Sequence, residues 1–378
     1  VQKIIGIRVR WLLVLGLLAG MVLSWPLWIP FGRLGFPMVP LFAWMGQMPV
    51  LLTLISIAIG ISGVFLLLFP AQKGPFLWMT ALLIVGFVVD VNTAQPWVWF
   101  YCLILIAFYF SALSNDPVPF AGLQIVLLGV YGWGGMYKIT PYFAVDNLPW
   151  FFSAFSWLEP LGKLPALGYA LAIGEACFVL GLSWHRTRQF TRVVVVLFHL
   201  SICLILSPLG LNWNLVVLPW NLAMAGMVWV LFDSKQPLVL PKQHLFRIFI
   251  GVVCLGPALN LMGVWPDAFS WKLYSNTQSE ATFYNPKGTV PCADLQAVWT
   301  KMAFNEQQYL LLDDWSNDAL KAPLHSSKQV FWALGRHLCQ CEGISDSAGL
   351  YLLQVSPWNR AAERMDFYPC ALLKAQAH

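Results

Sequence analysis

The feature that most constrains this chain is a succession of apolar runs, each long enough to cross the roughly 30 Å of bilayer hydrocarbon as a helix. They begin near Trp11, Pro49, Pro75, Pro96, Val118, Leu164, Val193, Asn214 and Leu245. With 59% hydrophobic residues, 10% charged residues and 20 Trp in 378 positions, the apolar surface exceeds what one water-soluble core hides. The expected fold class is an all-α polytopic membrane bundle of about nine transmembrane helices followed by a small extracytoplasmic α+β domain. Charges are scarce until about residue 265 and frequent afterwards, so composition places the boundary near Trp265-Pro266-Asp267, with domains 1–264 and 265–378.

The direction of threading is read from the basic residues. With the amino terminus in the cytoplasm, the inner loops carry Lys3, Arg8, Arg10, Lys73, Arg186, Arg188, Arg192, Lys235, Lys242 and Arg247, whereas the outer segments before residue 265 carry only Arg33, Lys138 and Lys163. That asymmetry is the positive-inside bias of a multi-pass membrane protein, and with nine spans it sends the segment after residue 265 outside the cytoplasm. The formal charge of +5 is thereby explained by insertion and not by an anionic partner. No basic stripe with interleaved aromatics exists outside the loops, so the expected partner is the lipid bilayer and not nucleic acid. The first apolar run, led by Lys3, Arg8 and Arg10, reads as a retained anchor, with a cleaved signal peptide as the other reading.

In the outer domain, Phe269 to Ser275, Ala281 to Tyr284, Gln308 to Leu312 and Leu350 to Val355 read as strands. Lys328 to Leu338 reads as a helix with Val330, Phe331, Leu334 and Leu338 on one face. Cys292, Cys339, Cys341 and Cys370 all fall in this domain, and in an oxidising compartment four cysteines point to two disulfides with three connectivities open. A direct Cys339–Cys341 bridge is strained. The alternatives are a metal site using His337, Cys339 and Cys341, against which the Cys-x-Cys spacing argues, and a redox relay of exposed thiols. Cys102, Cys177, Cys203 and Cys254 lie in apolar runs and read as small core residues. No resident metal is expected.

Ionisable residues inside the apolar runs are few, and each is a candidate for function because charge there is costly. Lys138 closes the run Gly132-Trp133-Gly134-Gly135-Met136-Tyr137-Lys138, whose small residues let another helix or a flat ligand approach the backbone. It reads either as a snorkelling lysine or as a buried amine acting as base or anion holder. Asp90, at the turn that carries Asn92, Gln95, Pro96 and Trp97, is the most economical partner for it. Glu175 and His199 sit at similar depths on consecutive runs and are within reach of each other, as a proton-handling pair or as helix-to-helix glue. Asn212-Trp213-Asn214, with Asn221 two turns on, marks the outer end of the eighth run. There is no phosphate-cradling glycine loop, no Gly-x-Ser-x-Gly elbow and no His-Glu-x-x-His helix, which removes the common soluble-enzyme chemistries.

Three stretches together resemble a known group: Asp90-Val91-Asn92-Thr93-Ala94-Gln95-Pro96-Trp97, then Gly134-Gly135-Met136-Tyr137-Lys138-Ile139-Thr140-Pro141-Tyr142-Phe143, then the small residues around Glu175. Over about residues 85 to 235 the chain is similar to the DoxX-like or MauE-like polytopic proteins of bacteria. These are related to the membrane domain of vitamin K-dependent gamma-carboxylases, the horizontally transferred transmembrane domain. In those carboxylases a lysine in a comparable Gly-x-x-Lys context is the base toward vitamin K hydroquinone, so the resemblance points to Lys138 and to quinone chemistry. Thr93 and Ala94 stand where many bacterial relatives carry an arginine. Phe269-Ser270-Trp271-Lys272-Leu273-Tyr274-Ser275-Asn276, Asp314-Trp315 and the helix ending in Cys339 resemble later segments of the same group.

The leading expectation is an inner-membrane protein that binds a quinone or similar lipid-soluble redox partner near Lys138. Asp90 tunes the lysine, and Glu175 and His199 relay protons. Gly134, Gly135, Gln95, Trp97 and Asn214 are the expected ligand-binding residues. The alternative is a non-enzymatic anchor or scaffold subunit that docks membrane-protein partners of a cell-envelope complex. A transporter is the weaker third reading, because no inverted repeat is visible.

Overall fold

The computed structural model describes residues 2–69, 72–113, 120–233, 238, 242–286, 308–342, 344–355 and 363–375. Among the described residues a helix stands at each of the apolar runs: α1 (Gln2–Leu23), α2 (Pro49–Leu68), α3 (Gly74–Val89), α4 (Pro96–Leu113), α5 (Ala121–Lys138), α6 (Pro165–Ser183), α7 (Arg188–Leu206), α8 (Val217–Leu231) and α9 (His244–Leu255). Proline opens α2, α4 and α6, where its missing N–H costs nothing and its fixed φ favours the first turn. Five stretches are long and apolar enough to cross a membrane: Lys3–Leu23, Pro49–Leu68, Pro165–Ser183, Arg188–Leu206 and His244–Met262. Gly74–Val89, Pro96–Ser111 and Val217–Leu231 are apolar but shorter. Helix α5 carries Gln124, Lys138 and several glycines, which dilute its apolar character.

The chain divides into two compact units. The first comprises Val1–Leu23, Ile55–Val85 and Pro96–Asn276, and the second Ser24–Leu54, Gly86–Gln95 and Thr277–His378. Two segments that the sequence reading assigns to 1–264 therefore belong to the compact unit that holds the sheet.

In the first unit, α5 and α6 pack at unusually close range. A Cβ at Gly135 would run into the backbone of Ala176 and lie 2.8 Å from the Ala172 carbonyl oxygen. Gly168 of α6 repeats the device against the π-helical turn Phe143–Asn147, since a Cβ there would lie 2.6 Å from Ala144 Cα. Only glycine lets backbones approach so closely. Trp97, read as a ligand contact, instead lies buried beside Gly20 of α1, with its ring edge-on to Tyr101.

The second unit is built on a four-stranded antiparallel sheet of order β2-β1-β3-β4, from β1 (Glu280–Asn285), β2 (Gln308–Leu311), β3 (Gly349–Gln354) and β4 (Arg364–Pro369). Phe283 of β1 sits opposite Leu310 on one side and Leu350 on the other, and all three are fully buried. Helices α10 (Leu312–Leu320), α11 (Lys328–Cys339) and α12 (Cys370–Ala375) add Trp315, Val330, Phe331, Leu334, Leu338 and Leu373 to the core. Ser327 caps α11 by accepting from the Val330 N–H. Phe36 closes on Trp315 with ring centroids 4.6 Å apart, which is how the Ser24–Leu54 segment joins this core.

Two expectations for the region after residue 265 are corrected or sharpened. Phe269 to Ser275 is not a strand: Trp271, Tyr274 and Asn276 adopt left-handed backbone at φ 62°, 56° and 52°, and the Ser275 N–H closes a turn on the Lys272 carbonyl. A segment interrupted by left-handed residues cannot present a strand ladder. Cys339 forms a disulfide with Cys370, joining the end of α11 to the start of α12, so it is not available as a metal thiolate alongside His337 and Cys341. Cys341 is also disulfide-bonded, and Cys292 lies outside the described residues.

Candidate functional site

Helix α5 places Tyr131, Gly134 and Lys138 at i, i+3 and i+7, on one face. The Lys138 side chain folds back one turn, as helical side chains lean toward the amino terminus. Its Nζ donates to the Gly134 carbonyl at 3.2 Å, and across the α5–α6 contact to Glu175 Oε1 at 3.0 Å and Oε2 at 2.9 Å. The two side chains are 12% and 10% exposed, so this is a buried pair and not a snorkelling lysine. The glycine matters to it directly: a Cβ at Gly134 would lie 2.8 Å from Glu175 Oε1.

A second polar chain runs beside the first. The Tyr131 hydroxyl meets His199 Nε2 of α7 at 2.7 Å, and His199 Nδ1 meets Asn221 Oδ1 of α8 at 2.7 Å. Asn221 Nδ2 in turn donates to the Val217 carbonyl at 2.8 Å. Both chains sit in the wall of one cavity of about 400 Å³, within the size range of small-molecule sites. Apart from Ser201, the rest of the lining is mainly aromatic and aliphatic, including Phe143, Phe151, Phe155, Phe198, Trp220 and Trp271. Trp157, Leu171 and Leu204 line it too and are 72%, 39% and 48% exposed, so the cavity has an exposed, mainly apolar rim. Lys138 and Glu175 cancel in charge, and the site as a whole suits an uncharged guest.

Of the residues singled out in the sequence, Lys138, Glu175, His199 and Gly134 come together in this lining. Glu175 and His199 are not bonded to each other, because Lys138 takes the first and Tyr131 and Asn221 take the second. The pairing of Asp90 with Lys138 is overturned. Asp90 Oδ2 accepts from Arg33 Nη1 at 2.6 Å, while Oδ1 accepts from the N–H groups of Val39 and Asn92 and from Asn92 Nδ2. Arg33 also donates to the Pro26 and Leu27 carbonyls, and both side chains are almost fully buried, which makes this hub a structural clamp of the second unit. Gln95, expected in ligand binding, donates to the Asn92 and Pro323 carbonyls. Gly135 serves helix packing, and Asn214 Nδ2 donates to the Tyr274 hydroxyl at 3.0 Å, behind a ring that lines the cavity.

Tyr131, Asn221, Trp271 and Tyr274 are among the lining residues not chosen from the sequence as ligand contacts. Tyr131 was recoverable, since it lies two helical turns before Lys138 on the same face. Trp271 and Tyr274 had no such signal, because their left-handed backbone reverses the alternation a strand pattern assumes. Bulky residues in that region are uncommon and cluster at functional sites. No family model, no curated protein and no solved structure matches the chain, so the reading of the site rests on its geometry.

Proposed function

We propose that this chain is a multi-pass protein of the bacterial inner membrane that holds a neutral, lipid-soluble molecule, of the quinone class, in the cavity beside Lys138. The observation that carries the reading is the cavity itself: apolar walls, an exposed and mainly apolar rim, and the Lys138–Glu175 pair with the Tyr131–His199–Asn221 chain as its only polar patch of buried side chains among the described residues that line it. Such a site fits a ring-shaped polar head with an apolar tail. Nine crossings with a cytoplasmic amino terminus and a periplasmic sheet domain follow from the apolar runs and the basic loops. The DoxX/MauE-like and carboxylase-like kinship stands on the motifs around Asp90, Lys138 and Glu175. In this reading Lys138 and Glu175 orient the head, Tyr131 and His199 meet it from the side, and Asp90 keeps the second unit folded. Asn221 ends the His199 chain in an amide, which carries no proton onward.

The test is to purify the protein in lipid nanodiscs, extract it with organic solvent and identify bound small molecules by mass spectrometry. Titration with a short-tailed quinone follows, read by quenching of tryptophan emission. A near-stoichiometric quinone-class molecule, with saturable quenching that Lys138→Met weakens, is the expected result. Preparations free of any such molecule that also show no saturable quenching overturn the reading, and stoichiometric copurifying proteins in that case favour the scaffold.

A further inference from the structure

Between Ser24 and Gln72 the sequence has a single charged residue, Arg33, and the fold turns it inward. Its guanidinium donates to Asp90 and to the Pro26 and Leu27 carbonyls. The inner side of this segment is stitched to the rest of the second unit at further points. The Leu41 N–H donates to the Val88 carbonyl at 2.9 Å, the Val91 N–H to the Val39 carbonyl at 2.8 Å, and Gln329 Nε2 to the Pro40 carbonyl at 3.1 Å. Leu27, Trp28, Phe36 and Val39 are buried there. The opposite side is left open. Phe31, Leu34, Leu41, Phe42 and Trp44 are each half or more exposed, Phe31 at 71% and Trp44 at 59%, and no exposed charge interrupts them. A water-facing surface seldom leaves so many large apolar side chains open along one short stretch. The segment leads straight into α2, where Val50, Leu54, Ile57, Ile61, Val64 and Leu68 are again half or more exposed. Their spacing places them on one stripe of a helix long enough to cross a membrane.

Two physical limits bear on what covers this face and how deep it lies. A protein partner would find no charge on it to steer approach or fix register, whereas lipid needs none. The backbone of residues 29–48 holds only two short 3-10 turns, Pro30–Gly32 and Ala43–Gln47, and is otherwise irregular. Hydrocarbon does not accept lipid-exposed backbone of that kind, because its peptide groups need water or a regular ladder. The headgroup layer meets both demands, with water for the peptide groups and apolar contact for the rings, and it is where tryptophans collect. We infer that the face made by Phe31, Leu34, Leu41, Phe42 and Trp44 is a lipid-binding surface that lies at headgroup depth. The second unit is then seated on the bilayer by its own apolar foot, and not merely tethered through the chain to membrane-crossing helices. The inference rests on the multi-pass reading and is independent of the ligand beside Lys138.

The test places the full-length protein in phosphatidylcholine nanodiscs that contain a phospholipid with a photoactivatable diazirine, either beside the headgroup or at the end of an acyl chain. After irradiation and digestion, mass spectrometry locates the lipid adducts. The headgroup probe is expected to label residues 31–48 severalfold more than the chain-end probe does, and the middle of α2 is expected to show the reverse order. Phe42→Glu with Trp44→Glu, both on exposed positions, lowers headgroup labelling of residues 31–48 severalfold and leaves labelling of α2 unchanged, which reports that the protein is still folded and inserted. Labelling of α2 with none on residues 31–48 overturns the inference and leaves the multi-pass reading standing. Labelling of residues 31–48 by the chain-end probe as strongly as by the headgroup probe overturns the depth and with it the inference. Cross-links from residues 31–48 to a second copy of the chain in place of lipid adducts overturn it as well. Absence of adducts from both regions overturns the inference and the multi-pass reading together.

Discussion

Replacing Gly134 and Gly135 by alanine, one at a time, separates the chemistry of the site from its scaffold. The Cβ of Gly134→Ala would stand 2.8 Å from Glu175 Oε1, and an ordinary contact begins near 3.4 Å, so the carboxylate must retreat by about 0.6 Å. That displacement carries Oε1 from 3.0 Å to the edge of hydrogen bonding with Lys138 Nζ and removes one charge-assisted bond, worth about 1.5–3 kcal/mol. Gly135→Ala meets backbone, the Ala176 N and Cα and the Ala172 carbonyl, which has no rotamer to retreat into. Helices α5 and α6 must part, an overpacking cost of about 3 kcal/mol or more. Thermal unfolding followed by tryptophan emission therefore shows a drop of a few degrees for Gly134→Ala and a clearly larger one for Gly135→Ala. The decisive comparison is in a Glu175→Ala background, where the atom that the added Cβ displaces is gone: Gly134→Ala becomes silent and Gly135→Ala keeps its full cost. If Gly134→Ala costs the same with and without Glu175, the glycine does not serve the ion pair and the reasoning fails.

Glu175→Gln leaves the Lys138 ammonium buried without an anion and lowers stability by about 3–5 kcal/mol, while the double replacement Lys138→Met with Glu175→Leu recovers most of it; a double variant no better than the single one refutes the pair's buried character. In the sheet unit, burial holds the His337 imidazole below its ordinary range against a smaller opposing contribution from a hydrogen bond with the Gly35 backbone, so the unfolded chain binds the proton more readily. Stability of that unit is full above about pH 6.5 and falls as the pH drops below it, and His337→Gln flattens the dependence in unfolding curves between about pH 7.5 and 5.5. Replacing Cys339 and Cys370 by serine frees a loop whose ends are 31 residues apart and costs about 2–4 kcal/mol, measured as reduced resistance of the sheet unit to proteolysis; unchanged resistance refutes the disulfide's structural role.

The helices were legible because their signal is length and apolarity, which local sequence carries in full. The strands at Glu280–Asn285 and Gly349–Gln354 and the helix Lys328–Cys339 were legible from alternation and helical spacing. Strand Arg364–Pro369 escaped because most of its side chains are not buried, leaving no alternation to read. The ionisable candidates in the apolar runs were found because charge there stands out, and three of the four line the cavity: Lys138, Glu175 and His199. Their pairing was not legible. Depth along a helix is encoded by rise per residue, but azimuth relative to a neighbour is set by which glycines let helices close. The same limit hid Arg33 as the partner of Asp90, since a contact between residues 57 positions apart leaves no local trace.

In the proposed membrane setting, the exposed apolar rim at Trp157, Leu171 and Leu204 changes what affinity means for this cavity. On the proposed reading, a guest would reach the cavity after partitioning into the bilayer, where its concentration is set by mole fraction among the lipids. Weak intrinsic binding would then suffice for occupancy, and selectivity would fall to the few polar atoms inside, because the lipids themselves compete for the apolar walls. Detergent tails compete in the same way.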